Sequence, residues 1–569
     1  MKKIEELGQV ISTDVLVLGG GMAGLCAAIE AKEKPVDVLV VDKGGIGWAG
    51  QTPVGGGMII HFNPEHADDW CRWLIPHGEY LHDQDWTYAV ARDVHKTVMR
   101  LESLGLPFSK KGGEVAILPF EKMYDLTVFD APKSLVKLKG AAKAKGVQFL
   151  DKIYVIDLLK HENRVAGALG FGLVDGKIYI LLAKAVLIAV GSCRYMVENA
   201  FAVNSGEGPA MAYRAGAQLR NAEFANSYTF GARLVGRQFG GLTAFLHLEN
   251  ALGEKIMEKH YPETVVGKKP GEERRDFRQI ADAMIKEAEA GRGPIYLDVR
   301  KLTPDEMDRL MAKNIPVLQQ LAEESFTLLK EKAGLDPMKG KIEMHPQFIG
   351  GQGPVRIDLD CRTTVEGLWA AGDAPSLGSG WTGARSSGGS YRGFGLCFAP
   401  ISGFRAGQTI SEYAASAKRF NIDAGEVKRV KERVFAPLGR KGNLNSGDII
   451  YEVHKAMVPM KNTFLREAGR LKNALKIIEG AKQNLPKVSA ADFHELMRYH
   501  QAESMALAAE FTTKAALMRE ESRGQHYRED FPNRDDKNWL KWIVIQEKDG
   551  VPRLSTEPVP IEKYKVKPN

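Results

Sequence analysis

The chain has 569 residues, enough for several domains, since single hydrophobic cores rarely grow beyond roughly 250–300 residues. Hydrophobic residues make up 44% and charged residues 26%, which is the composition of an ordinary globular protein with an ample core. The formal net charge of +7, from 78 Lys and Arg against 71 Asp and Glu, is too small and too dispersed to indicate nucleic-acid binding.

Local patterns disfavour two further classes of protein. The longest apolar stretch, Ile178–Val190, contains Lys184 and is shorter than the ~20 residues that a membrane-spanning helix needs. Glu5 and Glu6 lie where a signal peptide has its apolar region, so we expect no export. The five cysteines form no CxxC pair and no cluster with histidine. Their scatter argues against an iron–sulfur or zinc site within this chain and favours a cytoplasmic location.

The first strong motif lies near the N-terminus. The apolar run Asp14–Leu18 predicts a buried parallel strand that leads into the glycine turn Gly19–Gly24. A helix over Leu25–Ala31 and a second strand over Val36–Val41 follow. Asp42 ends this strand, 18 residues after the last glycine of the GxGxxG motif. The complete order of strand, glycine turn, helix, strand and acid predicts a dinucleotide-binding site.

Each residue type in this motif suits a dinucleotide for a physical reason. Gly19 permits a tight turn, Gly21 lets the backbone approach a pyrophosphate, and Gly24 allows the helix to pack closely on the strand. The N-terminus of the helix then faces the phosphates, and the Asp42 carboxylate can accept a hydrogen bond from a ribose hydroxyl.

Later segments favour FAD over NAD. A second glycine-rich block, Gly44–Gly57, follows the motif at once and could pass over a flavin ring, whereas an NAD enzyme would normally continue into a catalytic domain. Lys184–Ser192 predicts another buried strand that ends in small residues, and Thr363–Ala374 predicts a strand, a turn and an Asp beside a ligand. Together these segments indicate a dinucleotide fold interrupted by long insertions.

At this point the chain resembles a known superfamily, the flavoprotein subunits of fumarate reductase, succinate dehydrogenase and adenylylsulfate reductase. Four of its segments match signatures of that superfamily: Val15–Ala31, Ala183–Ser192, Thr363–Asp373 and Glu521–Pro532. Within the superfamily the chain looks most similar to the alpha subunit of adenylylsulfate reductase, on the strength of three stretches: Leu248–Glu263, Gly293–Val299 and Asp492–Glu503. The matching motifs extend over almost the whole chain.

The resemblance implies an α/β fold class with α+β insertions. It implies a Rossmann-like FAD-binding domain in two sequence pieces, over residues 1–215 and 346–415, with an inserted capping (substrate) domain over residues 216–345. A C-terminal helical domain and tail would occupy residues 416–569. The pattern of residues 421–524 is itself mostly helical.

The motifs and the resemblance together assign the following FAD-binding residues: Gly19, Gly21, Met22, Ala23, Gly24, Asp42, Lys43, Gly50, Gln51, Thr52, Gly57, Gly191, Gly372, Asp373, Ser387 and Ser390. In some members of the superfamily a histidine links covalently to the flavin. Gln51 stands at the matching position and cannot form that link, so we expect non-covalent FAD.

The resemblance also implies an anionic substrate held by arginines above the flavin, since a guanidinium fork matches carboxylate, sulfite or phosphate groups. Arg385 falls in the register of the superfamily's substrate-binding arginine. Arg233 falls in the register of an arginine in the adenylylsulfate reductase site, and Arg237 lies close to it in sequence. His345 is a fourth catalytic candidate, although a packed histidine is the alternative reading, and His61 is read as a polar residue near the flavin edge.

Departures from the superfamily pattern leave the substrate open. Ile349 occupies the register of a substrate-binding histidine of fumarate reductases, and Gln352 lies near the equivalent position of adenylylsulfate reductase. Ile60 is a further departure from adenylylsulfate reductase. The segment that supplies the proton-delivering arginine of the dicarboxylate enzymes has no counterpart.

The sequence shows no second GxGxxG motif for NAD(P)H and no CxxCH motif for haem, so we expect a separate electron carrier, most simply a ferredoxin-like iron–sulfur subunit. We therefore expect a FAD-dependent oxidoreductase subunit that exchanges electrons with a small anionic substrate. Three alternatives stay open: adenylylsulfate reductase alpha itself, a fumarate or enoate reductase, and a non-catalytic flavoprotein that relays electrons.

Overall fold

A computed structural model describes the chain over residues 3–121, 123–197, 204–226, 228–234, 237–238, 247–265, 277–311, 313, 316–348, 350–385 and 393–568. The chain forms two compact units. The larger comprises Met1–Val197, Phe201–Ser227 and Gly350–Asn569, and the smaller comprises Glu198–Ala200 and Tyr228–Ile349.

The strands follow one another along the chain as β1 Gln9–Ser12, β2 Val15–Leu18, β3 Val38–Asp42, β4 Met58–His61, β5 Lys110–Lys111, β6 Glu114–Val115, β7 Ile117–Glu121, β8 Tyr124–Val128, β9 Gln148–Asp151, β10 Ile153–His161, β11 Arg164–Gly172, β12 Ile178–Leu182, β13 Ala185–Ile188, β14 Leu219–Arg220, β15 Tyr228–Ala232, β16 Arg237–Gln238, β17 Leu248–Glu249, β18 Ile295–Leu297, β19 Ile342–Phe348, β20 Leu368–Ala370, β21 Leu465–Arg466, β22 Tyr527–Arg528, β23 Lys541–Lys548 and β24 Val551–Pro558.

The α-helices are α1 Met22–Ala31, α2 Ala67–His77, α3 Gln84–Ser103, α4 Ala131–Ala144, α5 Glu207–Ala215, α6 Ile256–His260, α7 Pro262–Val265, α8 Phe277–Glu289, α9 Pro304–Leu310, α10 Pro316–Ala333, α11 Phe394–Ser416, α12 Ala424–Phe435, α13 Ser446–Met457, α14 Met460–Thr463, α15 Ala468–Asn484, α16 Phe493–Met518 and α17 Asp536–Trp539.

A five-stranded parallel sheet forms the centre of the larger unit, in the order β20-β13-β2-β3-β9. Every residue of β2 and β13 is buried, because helices cover both faces of a parallel sheet and continuous apolar runs are then favoured. The carboxyl ends of these strands carry the predicted glycine turn, Asp42, Gly191 and Asp373. The four predicted strands are thus present as β2, β3, β13 and β20, and ligands of open α/β sheets bind at this edge.

The first helix begins three residues earlier than the sequence predicts. Helix α1 begins at Met22, directly after Gly21, rather than at Leu25. The glycine turn is complete at Gly21, so the remaining residues of the motif already have helical geometry. The peptide N–H groups of the first helical turn therefore lie at the mouth of the predicted phosphate site.

Close packing of α11 on α1 depends on two glycines. A Cβ on Gly403 would lie 2.5 Å from the carbonyl oxygen of Ala23, and a Cβ on Gly407 would overlap the carbonyl oxygen of Ala27. Both substitutions would push the helix backbones apart. The second sequence piece of the FAD-binding domain is thereby packed directly against the helix that follows the glycine turn.

The other elements of the larger unit surround this sheet. A four-stranded sheet has the order β1-β12-β11-β10, and β4, β8 and β7 form a separate antiparallel sheet. Helices α13, α15 and α16 pack on one another, which confirms a helical region after residue 416. The C-terminal tail contains strands instead of a long helix: β23 and β24 form an antiparallel hairpin, and β23 pairs with β14.

Near the C-terminus lies a set of ion pairs, here named the buried arginine cluster, formed by Glu223, Arg519, Glu521, Arg523 and Asp536. Arg519 pairs with Glu223 at 2.8 Å and with Glu521 at 2.9 Å. Arg523 pairs with Glu521 at 2.7 Å and with Asp536 at 2.8 Å. Every side chain except that of Asp536 is inaccessible to solvent, so the charges compensate one another without help from bulk water.

Arg528, in the segment Glu521–Pro532, stabilises the C-terminal end of helix α16. Its Nη1 donates to the carbonyl oxygens of Ala516, Leu517 and Arg519 at 3.1–3.2 Å, and its Nε donates to Asp530 at 2.7 Å. The last carbonyls of a helix have no partner within the helix, so this guanidinium caps α16.

The smaller unit contains a five-stranded antiparallel sheet in the order β16-β15-β19-β18-β17. Helix α8 packs on this sheet through β18, and α6 contacts β17.

Over the whole described part of the chain, no helix combines the length and the apolar character needed to cross a membrane.

Candidate functional site

The glycine turn after β2 forms a backbone cradle at the carboxyl edge of the parallel sheet. Gly19 has φ +106°, and a Cβ there would overlap the carbonyl oxygen of Ala189 at the end of β13. Gly21 differs, because a Cβ at this position would meet no atom within 4 Å. The turn is therefore closed on its protein side and open on the side toward which the N-terminus of α1 points.

Gly24 lets α1 lie directly on the turn. A Cβ on Gly24 would overlap the carbonyl oxygen of Gly19 and lie 3.2 Å from Val17 Cγ1. Met22 and Ala23, the first residues of α1, are buried beside it. Met22 N lies 3.4 Å from Thr52 Oγ1, so the glycine-rich block Gly44–Gly57 returns to the helix N-terminus. An anion placed here would face the N–H groups of the first turn of α1 and the positive end of the helix dipole.

Asp42 connects the first glycine turn with the second glycine-rich block. Its Oδ2 accepts from Gly20 N and its Oδ1 from Gly44 N, each at 2.7 Å. A carboxylate oxygen can accept more than one hydrogen bond, so Asp42 retains acceptor capacity for a ribose hydroxyl. Its role is consequently wider than predicted, because it also ties the phosphate turn to the second glycine block.

Lys43 makes a contact that local sequence does not predict. Its Nζ lies 2.6 Å from Glu207 Oε1, and the Glu207 side chain is 5% exposed. Burial raises the pKa of Glu207, but Lys43 and the hydrogen bonds from Ser205 outweigh it and hold the pKa below its ordinary value. In this arrangement the Lys43 charge neutralises Glu207 at the start of α5.

The second glycine block contains the other predicted contacts of this region. Gly50 has φ +90° with open space where a Cβ would lie, whereas Gly57 has φ +61° and a Cβ there would overlap the carbonyl oxygen of Phe129. Gln51 is partly exposed and precedes the buried Thr52 in a 3₁₀ turn. Gly57 is thus a packing glycine, and Gly50 lies on the accessible side.

Gly191 and Gly372 lie after β13 and β20 at the same edge. Gly191 has φ +75°, and Gly372 has φ +72° with its N–H donating to Ser402 Oγ at 2.9 Å. A Cβ on Gly372 would lie 2.9 Å from Ala23 Cβ. The backbone of Gly372 is therefore held between α1 and α11, and it places Asp373 at the mouth of the cradle.

A polar network surrounds Asp373. Arg194 Nη2 lies 3.6 Å from Asp373 Oδ2, and Gln352 Nε2 donates to Asp373 Oδ1 at 3.5 Å. Gln352 Oε1 accepts from Ser376 Oγ at 2.8 Å, and Trp381 Nε1 donates to Ser376 Oγ at 3.2 Å. This network fixes the carboxylate of Asp373. Sequence reasoning did not select Arg194, Ser376 or Trp381. Arg194 is distant in sequence from Asp373, and no motif marks the contact between Ser376 and Trp381.

Arg385 follows this network. Its Nε donates to the carbonyl oxygen of His77 at 2.6 Å, and the residue is partly exposed. In the described ranges no carboxylate lies within ion-pair distance of its guanidinium. The bond to His77 anchors the side chain through Nε, so among the described residues no carboxylate competes for its Nη groups.

The remaining catalytic candidates lie in the smaller unit. Arg233 pairs with Glu343 at 2.9 Å, and its side chain is 66% exposed. Arg237 begins β16, where its backbone pairs with Ala232. His345 lies in β19 opposite Gly231 and is partly exposed. Three residues singled out from the sequence, Ser387, Ser390 and Ile349, lie outside the described residues.

His61, which is expected to be a polar residue near the flavin edge, makes a specific hydrogen bond. Its Nε2 is hydrogen-bonded to Nδ1 of His95 at 3.0 Å, and the side chain is almost fully buried. Burial, with a smaller contribution from His95, lowers the pKa of His61 to about 4. The His61 ring is therefore neutral at pH 7. Ile60, next to it in β4, is fully buried.

Comparison with known proteins agrees with this geometry. Residues 14–391 match the FAD binding domain family, and residues 452–569 match the fumarate reductase flavoprotein C-terminal family. A fumarate reductase flavoprotein subunit from Mycobacterium tuberculosis is 28% identical over 97% of this chain and 98% of its own.

Two solved structures share the fold. The quinol fumarate reductase FrdA of E. coli has a TM-score of 0.82 at 23% identity and covers 98% of both chains. Adenylylsulfate reductase from Archaeoglobus fulgidus has a TM-score of 0.74 at 21% identity and covers 97% of this chain and 96% of its own.

The fold and the cradle define a FAD-dependent oxidoreductase. The chain belongs to the FAD binding domain family, and its C-terminal part matches the fumarate reductase flavoprotein C-terminal family. The open side of Gly21, the N-terminus of α1 and the hydrogen-bonded carboxylates of Asp42 and Asp373 fit FAD. The superfamily predicted from the motifs is confirmed, while the narrower likeness to adenylylsulfate reductase alpha stays a prediction.

Proposed function

We propose that this chain is the flavoprotein subunit of an oxidoreductase that exchanges an electron pair between FAD and a small anionic substrate held by Arg385. One observation supports this most directly. Arg385 is anchored through Nε, and no carboxylate among the described residues neutralises its guanidinium. A positioned guanidinium with free Nη donors binds two oxygens of a carboxylate, sulfite or phosphate group at once.

Other arginines of the chain support this choice by contrast. Arg356 pairs with Glu557, Arg405 with Asp93 and Arg233 with Glu343. An anionic substrate would have to compete with these carboxylates. Arg233, Arg237 and His345 therefore remain second candidates for substrate contact, and Arg385 is the first residue to test.

FAD, when bound, would supply the two-electron chemistry. The residues of this chain would provide its binding and the orientation of the substrate. The first turn of α1 and Gly21 would hold the pyrophosphate, Asp42 the ribose, and Asp373 a hydroxyl of the ribityl chain. Arg385 would hold the substrate by charge-assisted hydrogen bonds, and such fixed donors also stabilise negative charge that develops during reaction.

The substrate is best tested anaerobically. Purified protein is loaded with FAD and reduced, and the flavin absorbance is followed while adenylylsulfate and then fumarate are added. Reoxidation by adenylylsulfate identifies an adenylylsulfate reductase, and reoxidation by fumarate alone identifies a reductase of carbon–carbon double bonds. A flavin that reacts with neither anion contradicts both assignments and favours an electron-relay function.

Replacing Arg385 tests the site itself. Arg385→Ala should keep FAD but lose roughly 2–4 kcal/mol of transition-state stabilisation, or about 30- to 1,000-fold in kcat/KM, because one strong electrostatic donor is removed. Arg362→Ala is the matched control, since Arg362 already pairs with Asp360 on the surface. Activity of Arg385→Ala within a few-fold of wild type would rule out this site.

We further propose that FAD is bound without a covalent link, because Gln51 offers no imidazole. Acid precipitation should release all flavin into the supernatant. Flavin that stays with the precipitated protein would contradict this.

The electron carrier is proposed to be a ferredoxin-like iron–sulfur protein. No group of His, Cys, Asp and Glu suited to a metal occurs in the described ranges, and the similar mycobacterial protein is itself named a subunit. Reduced ferredoxin should reduce the bound flavin under anaerobic conditions, and NADH should not; the reverse result would contradict the proposal. The five free cysteines suit the cytoplasmic location that we propose with it.

A further inference from the structure

His82 is a fully buried histidine just before α3. Among the described residues, neither ring nitrogen has a hydrogen-bond partner. Burial lowers the pKa of His82 to about 3, so the ring is neutral at pH 7. A buried polar group without a partner costs about 1–3 kcal/mol, so hydrogen bonding does not explain the position of this ring.

The ring fills a slot between two glycines. A Cβ on Gly78 would overlap His82 Cε1, and a Cβ on Gly383 would lie 2.5 Å from both Cε1 and Nδ1. Gly383 also has φ +61°, which disfavours any other residue there. The imidazole thus sets the separation of two backbone segments, and neither segment can move closer while the ring is present.

These two backbone segments are the ones that hold Arg385. Ala384 N donates to the carbonyl oxygen of Gly78 at 3.0 Å, and Arg385 Nε donates to that of His77 at 2.6 Å. On the other side, Gln525 N donates to the carbonyl oxygen of Ala384 at 3.1 Å. The segment before Arg385 is therefore held from two sides, with the His82 ring between the glycines.

We propose that His82 is a positioning residue whose ring sets the place of the Arg385 guanidinium for binding an anionic substrate. This rests on the proposed function of Arg385. The ring acts through its volume and shape, since its nitrogens bind nothing in the described part of the protein. Removing the ring volume should weaken anion binding, and a side chain of similar volume without nitrogens should restore it.

The test compares His82→Ala and His82→Leu in the FAD-loaded protein. Malonate is the probe, because this dicarboxylate has no double bond to reduce and so reports binding alone. Its Kd is measured from the change in flavin absorbance. His82→Ala should raise the Kd about tenfold, since a small displacement of a positioned group has a large effect, and His82→Leu should stay within about threefold of wild type.

Controls separate this effect from a loss of fold. FAD content and the thermal unfolding midpoint are measured for every variant. His161→Ala removes the same ring from a residue that packs on Phe420 instead, and it should leave the malonate Kd unchanged. If His82→Ala does not fold, His82→Val provides a smaller loss of volume and should give an intermediate Kd.

Arg385→Ala, measured in parallel, distinguishes failure of the proposed function of Arg385 from failure of the proposed role of His82. If Arg385→Ala binds malonate like wild type, the proposed function of Arg385 fails, and this inference fails with it. If Arg385→Ala loses malonate but His82→Ala does not, only the role of His82 is overturned. Equal weakening by His82→Ala and His82→Leu would show that the nitrogens matter and would overturn the argument from shape.

Discussion

The glycine-lined edge of the parallel sheet and the buried arginine cluster are stabilised in opposite ways. At the sheet edge, backbone groups form the site, and missing side chains make room for a ligand. In the cluster, four charged side chains inaccessible to solvent compensate one another. The edge tolerates little added volume, and the cluster tolerates little lost charge. This contrast predicts different responses to substitution.

The largest effect is expected in the cluster. Arg519→Met should destabilise the fold by about 3–5 kcal/mol, because Glu223 is left as an uncompensated buried charge. The free energy of unfolding in urea measures it. Adding Glu223→Leu should recover part of the loss. Arg534→Met, which removes a partly exposed partner of Asp536, should cost less than about 1 kcal/mol. Equal losses for the two single variants would contradict the contrast.

At the sheet edge, three glycines give a graded series. Gly24→Ala should lower the free energy of unfolding by about 3 kcal/mol and abolish FAD binding, because its Cβ overlaps the Gly19 carbonyl. Gly21→Ala should retain stability and lose only FAD affinity, since its methyl group projects into open space where a phosphate would lie.

Gly439→Ala is the control for this series, because a Cβ at Gly439 also meets no atom within 4 Å and Gly439 lies outside both glycine-rich segments. Isothermal titration measures the affinity for FAD, and urea unfolding measures stability. A Gly21→Ala variant that binds FAD like Gly439→Ala would show that the phosphate lies elsewhere.

A smaller effect concerns pH. The folded pKa of His61 is about 4, below its unfolded value of 6.5, so between these values the unfolded chain binds a proton that the folded chain does not. The contribution of His61 to the free energy of unfolding is therefore fully present above pH 6.5 and is lost as the pH falls. At pH 5 this loss is about 2 kcal/mol. Burial lowers the pKa values of His82 and His526 as well, with the same sign.

His61→Asn should flatten this dependence. The free energy of unfolding is compared at pH 7.5 and pH 5 for the variant and for wild type. Taking the difference between the two proteins removes contributions from groups of opposite sign, such as Asp125, whose pKa is raised by burial. An unchanged dependence in His61→Asn would mean that this ring is charged in the folded protein.

Sequence reasoning succeeded where the chemistry is local. The GxGxxG motif, the strand before it and Asp42 lie within 30 residues, and their spacing alone predicts a dinucleotide site. Contacts between distant segments were not predictable in this way. The cofactor contact of Lys43 stays a prediction, but its pairing with Glu207, at a separation of 164 residues, was not predicted. The carbonyl that anchors Arg385 lies 308 residues away in sequence. Periodicity and spacing carry no information about such pairs.

The packing of α11 on α1 has a consequence for synthesis. The apolar face of α1 is covered by a helix that begins about 360 residues later in the chain, so it stays uncovered for roughly 20–70 s at translation rates of about 5–20 residues per second. Over that time the nascent glycine turn has its strand but lacks the helix that fixes Gly372. We therefore expect the growing chain to expose a segment of the kind that chaperones bind, and the FAD-binding edge to be complete only after translation has passed α11.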